Sequence, residues 1–140
     1  MSIEENKEIA RRYLSVDANQ IRKDIESGQD EFHAPELMVH TPMGDMNYEG
    51  YMASMNAVVS AFPDCKYNPE DVIAEGDKVV VRYTLTGTHR GDFQGIPATG
   101  KSFKIEGIGI LRIDNGKLAE FWFASDMLGM MQQLGAIPAQ

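Results

Sequence analysis

Hydrophobic positions divide the chain into a helical first half and a strand-rich second half. Apolar residues recur at helical spacing over residues 3–14 and again over residues 18–25. The segment 47–63 has the clearest amphipathic helical pattern, and Asn47 is suited to cap it. A short strand is expected at residues 36–42, where Pro42 would end it.

The second half has the period-two alternation of strands that are joined by turns. Strands are predicted at residues 78–89, 102–113 and 118–125, and the Asn-Gly pair at 115–116 indicates a tight hairpin. A short helix follows at residues 126–135. Turns connect antiparallel strands, whereas parallel strands need crossover helices. The pattern therefore predicts an α+β fold, in which helices pack on one face of a curved antiparallel sheet.

A two-residue turn at 115–116 would fix the register of the last hairpin. Counting outward from the turn places Gly109 opposite Trp122. This register predicts that Asp126 and Trp122 share one face with Gly107 and Gly109. Glycine leaves space above a strand, so we expect this space to hold the Trp122 indole or a ligand. The other face would carry Phe121 and Phe123 and could serve as a subunit interface.

Composition narrows the class of protein. The 140 residues suit one domain, 1–140, and 43% are hydrophobic. A net charge of −8 disfavours a nucleic-acid partner. No apolar run reaches the roughly 18 residues of a membrane span, and the N-terminal segment lacks a signal-peptide pattern, so we expect a cytoplasmic protein without membrane contact. Cys65 is the single cysteine, which excludes an internal disulfide and a cysteine metal cluster.

Asp126 is a carboxylate among apolar neighbours, and two interpretations of it stay open. It can cap the helix that follows, because aspartate accepts hydrogen bonds from the first free N–H groups of a helix. It can also be a general acid/base, because an apolar pocket disfavours the charged carboxylate and raises its pKa. The local sequence favours the two interpretations about equally.

The three histidines are the other chemical candidates. His89 and His40 lie at expected strand ends, where a solvated or structurally bonded histidine is more common than a catalytic one. His33 is expected in a loop. Their spacing fits no zinc motif, so no metal site is predicted, and no nucleotide-binding loop is present.

Three segments resemble the SnoaL-like polyketide cyclase, or ester cyclase, family. They are "AFPD" (61–64), "EDVIAEGDKVVVRYTLTGTHRGDFQGIPATGK" (70–101) and "LRIDNGKLAEFWFASDMLGMMQQLG" (111–135). The family fold is a cone-shaped α+β barrel, similar to ketosteroid isomerase and nuclear transport factor two. The resemblance implies a curved sheet wrapped around the N-terminal helices, with an apolar cavity between them, and it implies homodimers.

The resemblance also implies a chemistry that needs no metal and no cofactor. The founding members close a polyketide ring by intramolecular aldol condensation, and Asp126 matches their general acid/base. His89 would then donate to the developing oxyanion or position the substrate, and His40 is the other candidate for this role. Trp122 and Tyr13 would line the apolar wall around a small hydrophobic carbonyl compound. On this hypothesis Asp126→Asn abolishes turnover.

A non-catalytic binder of an apolar small molecule is the alternative function. Its support is the strand segment "GIGIL" (107–111), where the cyclases carry polar side chains and this chain has none. A plain dimerisation module with a filled core is a third possibility.

Overall fold

The computed structural model describes residues 2–137, which form four helices and six strands. The helices come first and the meander second, as predicted, and none of the described helices is long and apolar enough to cross a membrane. The elements are α1 (Ile3–Tyr13), α2 (Ala18–Glu26), β1 (His33–Thr41), β2 (Gly44–Asn47), α3 (Tyr48–Ala61), β3 (Lys66–Glu75), β4 (Lys78–Thr88), β5 (Ser102–Asp114), β6 (Lys117–Ser125) and α4 (Met127–Gln133).

The six strands form one curved, unclosed sheet in the order β2-β1-β6-β5-β4-β3. All neighbouring strands are antiparallel except β1 and β6, which pair in parallel. Helices α1 and α3 contact the strands from the inner face, and α4 contacts β5. The α+β prediction is confirmed. The short strand β2 was not predicted, and β1 begins at His33, which had been expected in a loop.

Caps fix where the helices begin. The Ser2 side chain accepts a hydrogen bond from the N–H of Glu5 at 3.1 Å, and Asn47 accepts one from the N–H of Gly50 at 2.9 Å. These bonds satisfy N–H groups that have no partner within the first turn. The predicted cap of α3 is therefore confirmed.

The inner face of the sheet is the core. Along β4, Val79, Val81 and Tyr83 are fully buried and Leu85 nearly so, which confirms the predicted alternation. The facing helices contribute Tyr13 from α1, and the other helical core residues are Ala10, Ile21, Val59, Ala61 and Met130. Burying such side chains contributes about 1.5–3 kcal/mol each for the larger ones.

A bulge near the start of β6 changes the register that the turn would have set. Leu118 pairs with Ile113, but Glu120 pairs with Arg112, so Ala119 is an extra residue with no opposite partner. Leu118 and Ala119 are both buried. An extra residue in one strand reverses the direction of every side chain beyond it.

The predicted register is therefore wrong from Glu120 onward. Gly109 faces Phe123, and Trp122 faces Ile110. Phe121 and Phe123 lie on the inner face with the glycines, and Trp122 lies on the outer face. The expectation of a subunit interface at Phe121 is likewise wrong, because Phe121 is buried in the core.

Neighbouring aromatic rings occupy the space above the two glycines of β5. A Cβ at Gly107 would lie 2.6 Å from Cζ of Tyr83, and a Cβ at Gly109 would lie 2.7 Å from Cε1 of Phe121. Real side chains do not approach so closely. The glycines thus accommodate Tyr83 and Phe121 rather than the Trp122 indole.

This packing predicts that Gly107→Ala destabilises the fold, although alanine suits a strand better than glycine. The new methyl group would overlap the Tyr83 ring, and overpacking of this kind costs about 1–3 kcal/mol. Urea unfolding would measure the loss. Lys104→Ala is the matched control on the exposed side of the same strand, and it should have the smaller effect; equal stability of Gly107→Ala and the wild type would contradict the packing argument.

Candidate active site

Four side chains form a continuous hydrogen-bonded chain inside the molecule. Nδ1 of His33 lies 3.0 Å from both carboxylate oxygens of Asp30, and Nε2 of the same ring lies 3.0 Å from the hydroxyl of Tyr13. The Tyr13 hydroxyl is 2.8 Å from that of Tyr51. The chain joins α1, the loop before β1, the first residue of β1, and α3. Its members are buried or half-buried, so these bonds replace water as their partners.

Asp30 is held as a carboxylate at one end of this chain. Its oxygens also accept hydrogen bonds from the Tyr48 hydroxyl and the N–H of Phe32, both at 3.0 Å. Burial opposes ionisation, but the hydrogen bonds from His33, Phe32 and Tyr48 outweigh it and lower the pKa of Asp30 from 3.8 to about 2. Asp30 is therefore charged across the physiological range.

Four phenols converge on the inner face of the sheet. Burial raises the pKa of Tyr51 to about 12, and the phenol of Tyr83 contributes to the rise. Burial, with the phenols of Tyr83 and Tyr51 nearby, also raises the pKa of Tyr67 well above its ordinary value. The pKa of Tyr13 is raised by burial and by Tyr51 in the same way. All four groups therefore keep their protons at neutral pH.

The convergence point is a small polar region with apolar walls. The Tyr83 hydroxyl lies 2.7 Å from Oγ of Ser125 at the end of β6. Tyr51 and Tyr67 are partly exposed, whereas Tyr83 is fully buried. Partly buried apolar side chains also pack against the core; they are Phe123, Met127 and Met131.

Helix α4 closes this end of the interior. The Gln133 side chain accepts a hydrogen bond from the N–H of Lys104 at 2.7 Å and donates one to its carbonyl oxygen at 3.0 Å. These two hydrogen bonds hold α4 against β5. Met130 is buried as a result, whereas Leu128 points outward with 61% exposure.

The carboxylate of Asp126 caps α4. It accepts a hydrogen bond from the N–H of Gly129 at 2.9 Å, which confirms the N-cap interpretation. The N–H of Asp126 donates to the carbonyl oxygen of Glu106 at 3.0 Å, so the residue continues the pairing of β6 with β5 beyond the bulge. Asp126 is exposed, and its catalytic role stays a prediction.

Asp126 lines a polar hollow on the outer side of the sheet. This hollow has a volume of about 630 Å³, and its walls include Glu70, Arg82 and Glu106. Arg82 is paired with Asp71 at 2.7 Å and with Glu106 at 3.3 Å. The surroundings of Asp126 are charged and open, in contrast to the apolar pocket that the general acid/base interpretation requires.

His89 is a buried structural partner of the loop that follows β4. Nδ1 accepts a hydrogen bond from the N–H of Thr99 at 3.3 Å, and the ring packs against Phe62 with 5.4 Å between ring centroids. The side chain is fully buried, and Nε2 has no hydrogen-bond partner among the described residues. No described contact joins His89 to Asp126, so the structure does not bring the two predicted catalytic residues together.

His40 and Trp122 form a second cluster, on the outer face. The two rings stack with 5.3 Å between their centroids. Nδ1 of His40 is 2.9 Å from Asp45, and Nε2 is 2.7 Å from Glu120. Both hydrogen bonds raise the pKa of His40, and the bond with Asp45 is the larger cause. The predicted wall that joins Trp122 to Tyr13 is wrong, because the two residues lie on opposite faces of the sheet.

Of the interior site, Tyr13 was predicted from the sequence, whereas Asp30 and Tyr51 were not. His33 was named as a chemical candidate but was expected in a loop. These three residues come from a loop, a strand start and a helix that are distant along the chain. The spacing of Asp30 and His33 could have predicted their contact, because two residues three positions apart just before a strand can pair through their side chains. Among residues 2–137 no group of three or more His, Cys, Asp or Glu side chains is arranged so that it could hold a metal ion.

The curved, unclosed sheet with helices on its inner face defines a class of protein, the cone-shaped α+β proteins. Similarity to known proteins agrees with this class. The family model for the SnoaL-like polyketide cyclases matches residues 8–134. The aklanonic acid methyl ester cyclase DnrD of Streptomyces peucetius is 34% identical over 106 residues, which cover 75% of this chain and 72% of that protein.

Solved structures give the same result. TsrD of Streptomyces laurentii superposes with a TM-score of 0.80 at 28% identity, covering 98% of this chain and 99% of that one. AclR of Streptomyces galilaeus, named as a candidate hydroxylase, gives a TM-score of 0.83 at 28% identity, covering 99% and 86%. This chain belongs to the SnoaL-like polyketide cyclase family.

The lowered pKa of Asp30 predicts a specific loss of stability in acid. Because the folded-state pKa lies below the unfolded value of 3.8, the contribution of Asp30 is present above about pH 4 and is lost as the pH falls to about 2. Asp30→Asn should therefore be less stable than the wild type at about pH 5, and the difference in urea midpoint should close towards about pH 2.

Asp92→Asn, in the exposed loop after β4, is the control for loss of one carboxylate. It should differ little from the wild type at either pH. A gap between Asp30→Asn and the wild type that stays constant over this range would contradict the lowered pKa.

Proposed function

We propose that the protein catalyses cofactor-free proton abstraction alpha to a carbonyl, followed by aldol-type ring closure, on a small hydrophobic substrate. The substrate would bind between α1, α3 and the inner face of the sheet. Membership of the cyclase family supports the reaction class. The name of the related cyclase specifies aklanonic acid methyl ester, which makes that methyl ester the first substrate to try.

The observation that carries this proposal is a set of hydroxyl groups in an otherwise apolar interior. Buried hydroxyls are costly unless they are paired, and a core built for stability alone would use phenylalanine at such positions. Here Tyr13, Tyr51 and Tyr83 are all buried or half-buried and all hydrogen-bonded through their hydroxyls. Groups of this kind can bind a carbonyl oxygen when substrate enters.

In this proposal the Tyr83–Ser125 pair stabilises an enolate oxygen. A hydroxyl donor with a raised pKa keeps its proton, and burial raises the pKa of Tyr83. Such a donor stabilises negative charge strongly in a water-poor site, and removal of one donor from a comparable site costs about 10²–10³-fold in turnover. This pair supplies the polar contact that the "GIGIL" strand itself does not contribute.

The sequence-based assignments of Asp126, His89 and His40 remain predictions of the family resemblance. Asp126→Asn tests the first of them cleanly, because asparagine caps a helix as well as aspartate but cannot accept a substrate proton. A loss of turnover in a stably folded Asp126→Asn variant would assign the base to Asp126. Cytoplasmic location also remains a prediction.

Incubation with aklanonic acid methyl ester tests the proposed reaction. We expect conversion to a cyclised product of unchanged mass, detected by chromatography and mass spectrometry, at a rate well above that with heat-unfolded protein. Tyr83→Phe should lower the rate by about 10²-fold. Binding of the ester without conversion, measured by calorimetry, would instead support the apolar binder, and the absence of both would contradict this substrate class.

We also propose a homodimer that forms through the outer face of the sheet, with a second copy of the chain as the occupant. This face exposes Ile73 (65%) and Ile108 (55%). Charged pairs of both signs, such as Arg82 with Glu106, border these side chains and allow two copies to pair opposite charges across a two-fold axis.

Sedimentation analysis of the wild type should give twice the chain mass of 15.6 kDa. Ile108→Lys should shift the mass towards that of one chain, because it buries a charge in the proposed interface. Leu128→Lys, which alters an exposed leucine on α4, is the control and should leave the dimer intact. A monomeric wild type would contradict the proposal.

A further inference from the structure

We propose that His40 is a proton-operated lock, which holds the β1–β2 hairpin against β6 while the imidazole is protonated and releases it when the proton is lost. The lock lies on the outer face of the sheet and is independent of the reaction proposed above. Three observations support it: the hydrogen-bond partners of the ring, the strands to which those partners belong, and the direct passage of the chain from β2 into α3.

The two partners of the His40 ring require both of its nitrogens to donate. Nδ1 lies 2.9 Å from Oδ1 of Asp45, and Nε2 lies 2.7 Å from Oε2 of Glu120. An ionised carboxylate can only accept, so each nitrogen must carry a hydrogen, and the imidazolium is the form that has both. A neutral ring would turn a lone pair towards one of the two carboxylates. The geometry of the cluster is therefore that of a protonated histidine.

The other two histidines differ from His40 in this respect. Nε2 of His33 lies beside the hydroxyl of Tyr13, which can donate to a neutral ring. Nδ1 of His89 accepts a hydrogen bond from the N–H of Thr99, which a neutral ring also allows. Of the three histidines, His40 is thus the one whose described partners require a second proton.

The partners of His40 belong to different strands, so the charged ring joins three strands at one point. Asp45 lies on β2, directly across from His40 on β1, and Glu120 lies on β6. The second oxygen of Glu120 accepts a hydrogen bond from Nε of Arg112 on β5 at 3.2 Å. The His40 ring also stacks on Trp122 of β6. Loss of the proton removes one of the two hydrogen bonds through which the ring connects β2 to β6.

The charged groups near His40 come from each neighbouring strand. Asp45 faces the ring from β2 and Glu120 faces it from β6, and both carboxylates favour the imidazolium. Arg112 from β5 pairs with the same Glu120 carboxylate. Nζ of Lys78 from β4 lies 5.5 Å from the centroid of the stacked indole. These two cations favour the neutral ring, but the carboxylates are in direct contact with it and therefore dominate.

The pH window of the lock follows from both ends of the bond between His40 and Glu120. The hydrogen bonds with Asp45 and Glu120 raise the pKa of His40 above its ordinary 6.5, so its contribution is complete below about pH 6.5 and is lost as the pH rises through the raised value. The hydrogen bond from His40 lowers the pKa of Glu120 below its ordinary 4.5, so this contribution is present above about pH 4.5 and is lost in acid. The lock is therefore closed between about pH 4.5 and pH 6.5.

Release of β2 would affect α3, because no residue separates the two elements. β2 ends at Asn47, and α3 begins at Tyr48. Asn47 is also the N-cap of α3, since its side chain accepts a hydrogen bond from the N–H of Gly50 at 2.9 Å. Movement of β2 therefore moves the cap. The lock thus connects protonation on the outer face of the sheet to the start of a helix on the inner face.

The fluorescence of Trp122 tests the protonation of His40, because the chain has one tryptophan. A protonated imidazole stacked on an indole quenches its emission. Between about pH 5 and pH 9 we expect the emission of the wild type to rise along one titration curve, with a midpoint above 6.5. His40→Gln should have the higher emission without this titration. Glu120→Gln and Asp45→Asn should each move the midpoint down towards 6.5, because each removes one carboxylate from the ring.

Lys78→Gln is the matched control. It removes the other cation beside the indole and leaves both carboxylates of the His40 ring in place. The titration should persist in this variant with a midpoint close to that of the wild type. Circular dichroism would establish that each variant is folded.

Hydrogen exchange, followed by mass spectrometry, tests whether the hairpin is released. Each unit by which the midpoint exceeds 6.5 corresponds to about a tenfold stronger binding of the proton in the locked state than in the released state. After correction for the intrinsic pH dependence of exchange, the protection of residues 44–50 should fall by the same factor as the pH rises past the midpoint. Residues 79–85 of β4 are the internal reference, and their protection should not change.

The results that would overturn the lock are distinct. A wild-type midpoint at or below 6.5, or a titration that persists in His40→Gln, overturns the protonated geometry. If His40→Gln does not fold, unmoved midpoints in both Glu120→Gln and Asp45→Asn overturn it instead. A raised midpoint with unchanged protection of residues 44–50 overturns the connection between the ring and the hairpin. None of these results bears on the proposed reaction, which conversion of the ester tests separately.

Discussion

A polar group that is buried among apolar side chains must be hydrogen-bonded, and this requirement organises the interior of the protein. The Tyr13 hydroxyl is the point where it acts most strongly, because it bonds to His33 on one side and to Tyr51 on the other. Those two bonds hold α1 against β1 and α3, which are not its neighbours along the chain. Each partner needs a further partner in turn, and the series runs from Tyr51 at one end to the Asp30 carboxylate at the other.

The sequence predicted the elements of the fold well, because hydrophobic periodicity is a local property. The helix at 47–63 and the strand at 78–89 were both found, and each has a cap, a turn or an alternation that can be read along the chain. The face of Trp122 was predicted wrongly for a physical reason. One unpaired residue, Ala119, lies between the turn and Trp122, and two adjacent buried residues at 118–119 do not distinguish a bulge from a regular strand start.

The site was harder to predict than the fold, because its members are brought together only by tertiary packing. Tyr13 was expected in the pocket on the basis of the family resemblance, but the neighbours that give it a role come from elsewhere in the chain. His33 was expected in a loop, since nothing local marks it as the first residue of a strand. Asp126, by contrast, stands out in the sequence because of its apolar neighbours, and the structure shows it bonded to the N–H of Gly129.

The unpaired Ala119 determines which side chains of the last strand point towards the inner face of the sheet. Loss of that one residue would restore the regular pairing and exchange the two sides of the strand, so that Trp122 would turn inward and the two phenylalanines outward. Substitutions in β6 are therefore local changes, whereas a deletion or insertion of one residue between the turn and Glu120 would reassign every later side chain at once. A change of two residues in this short segment would keep the later side chains on their faces, whereas a change of one would not.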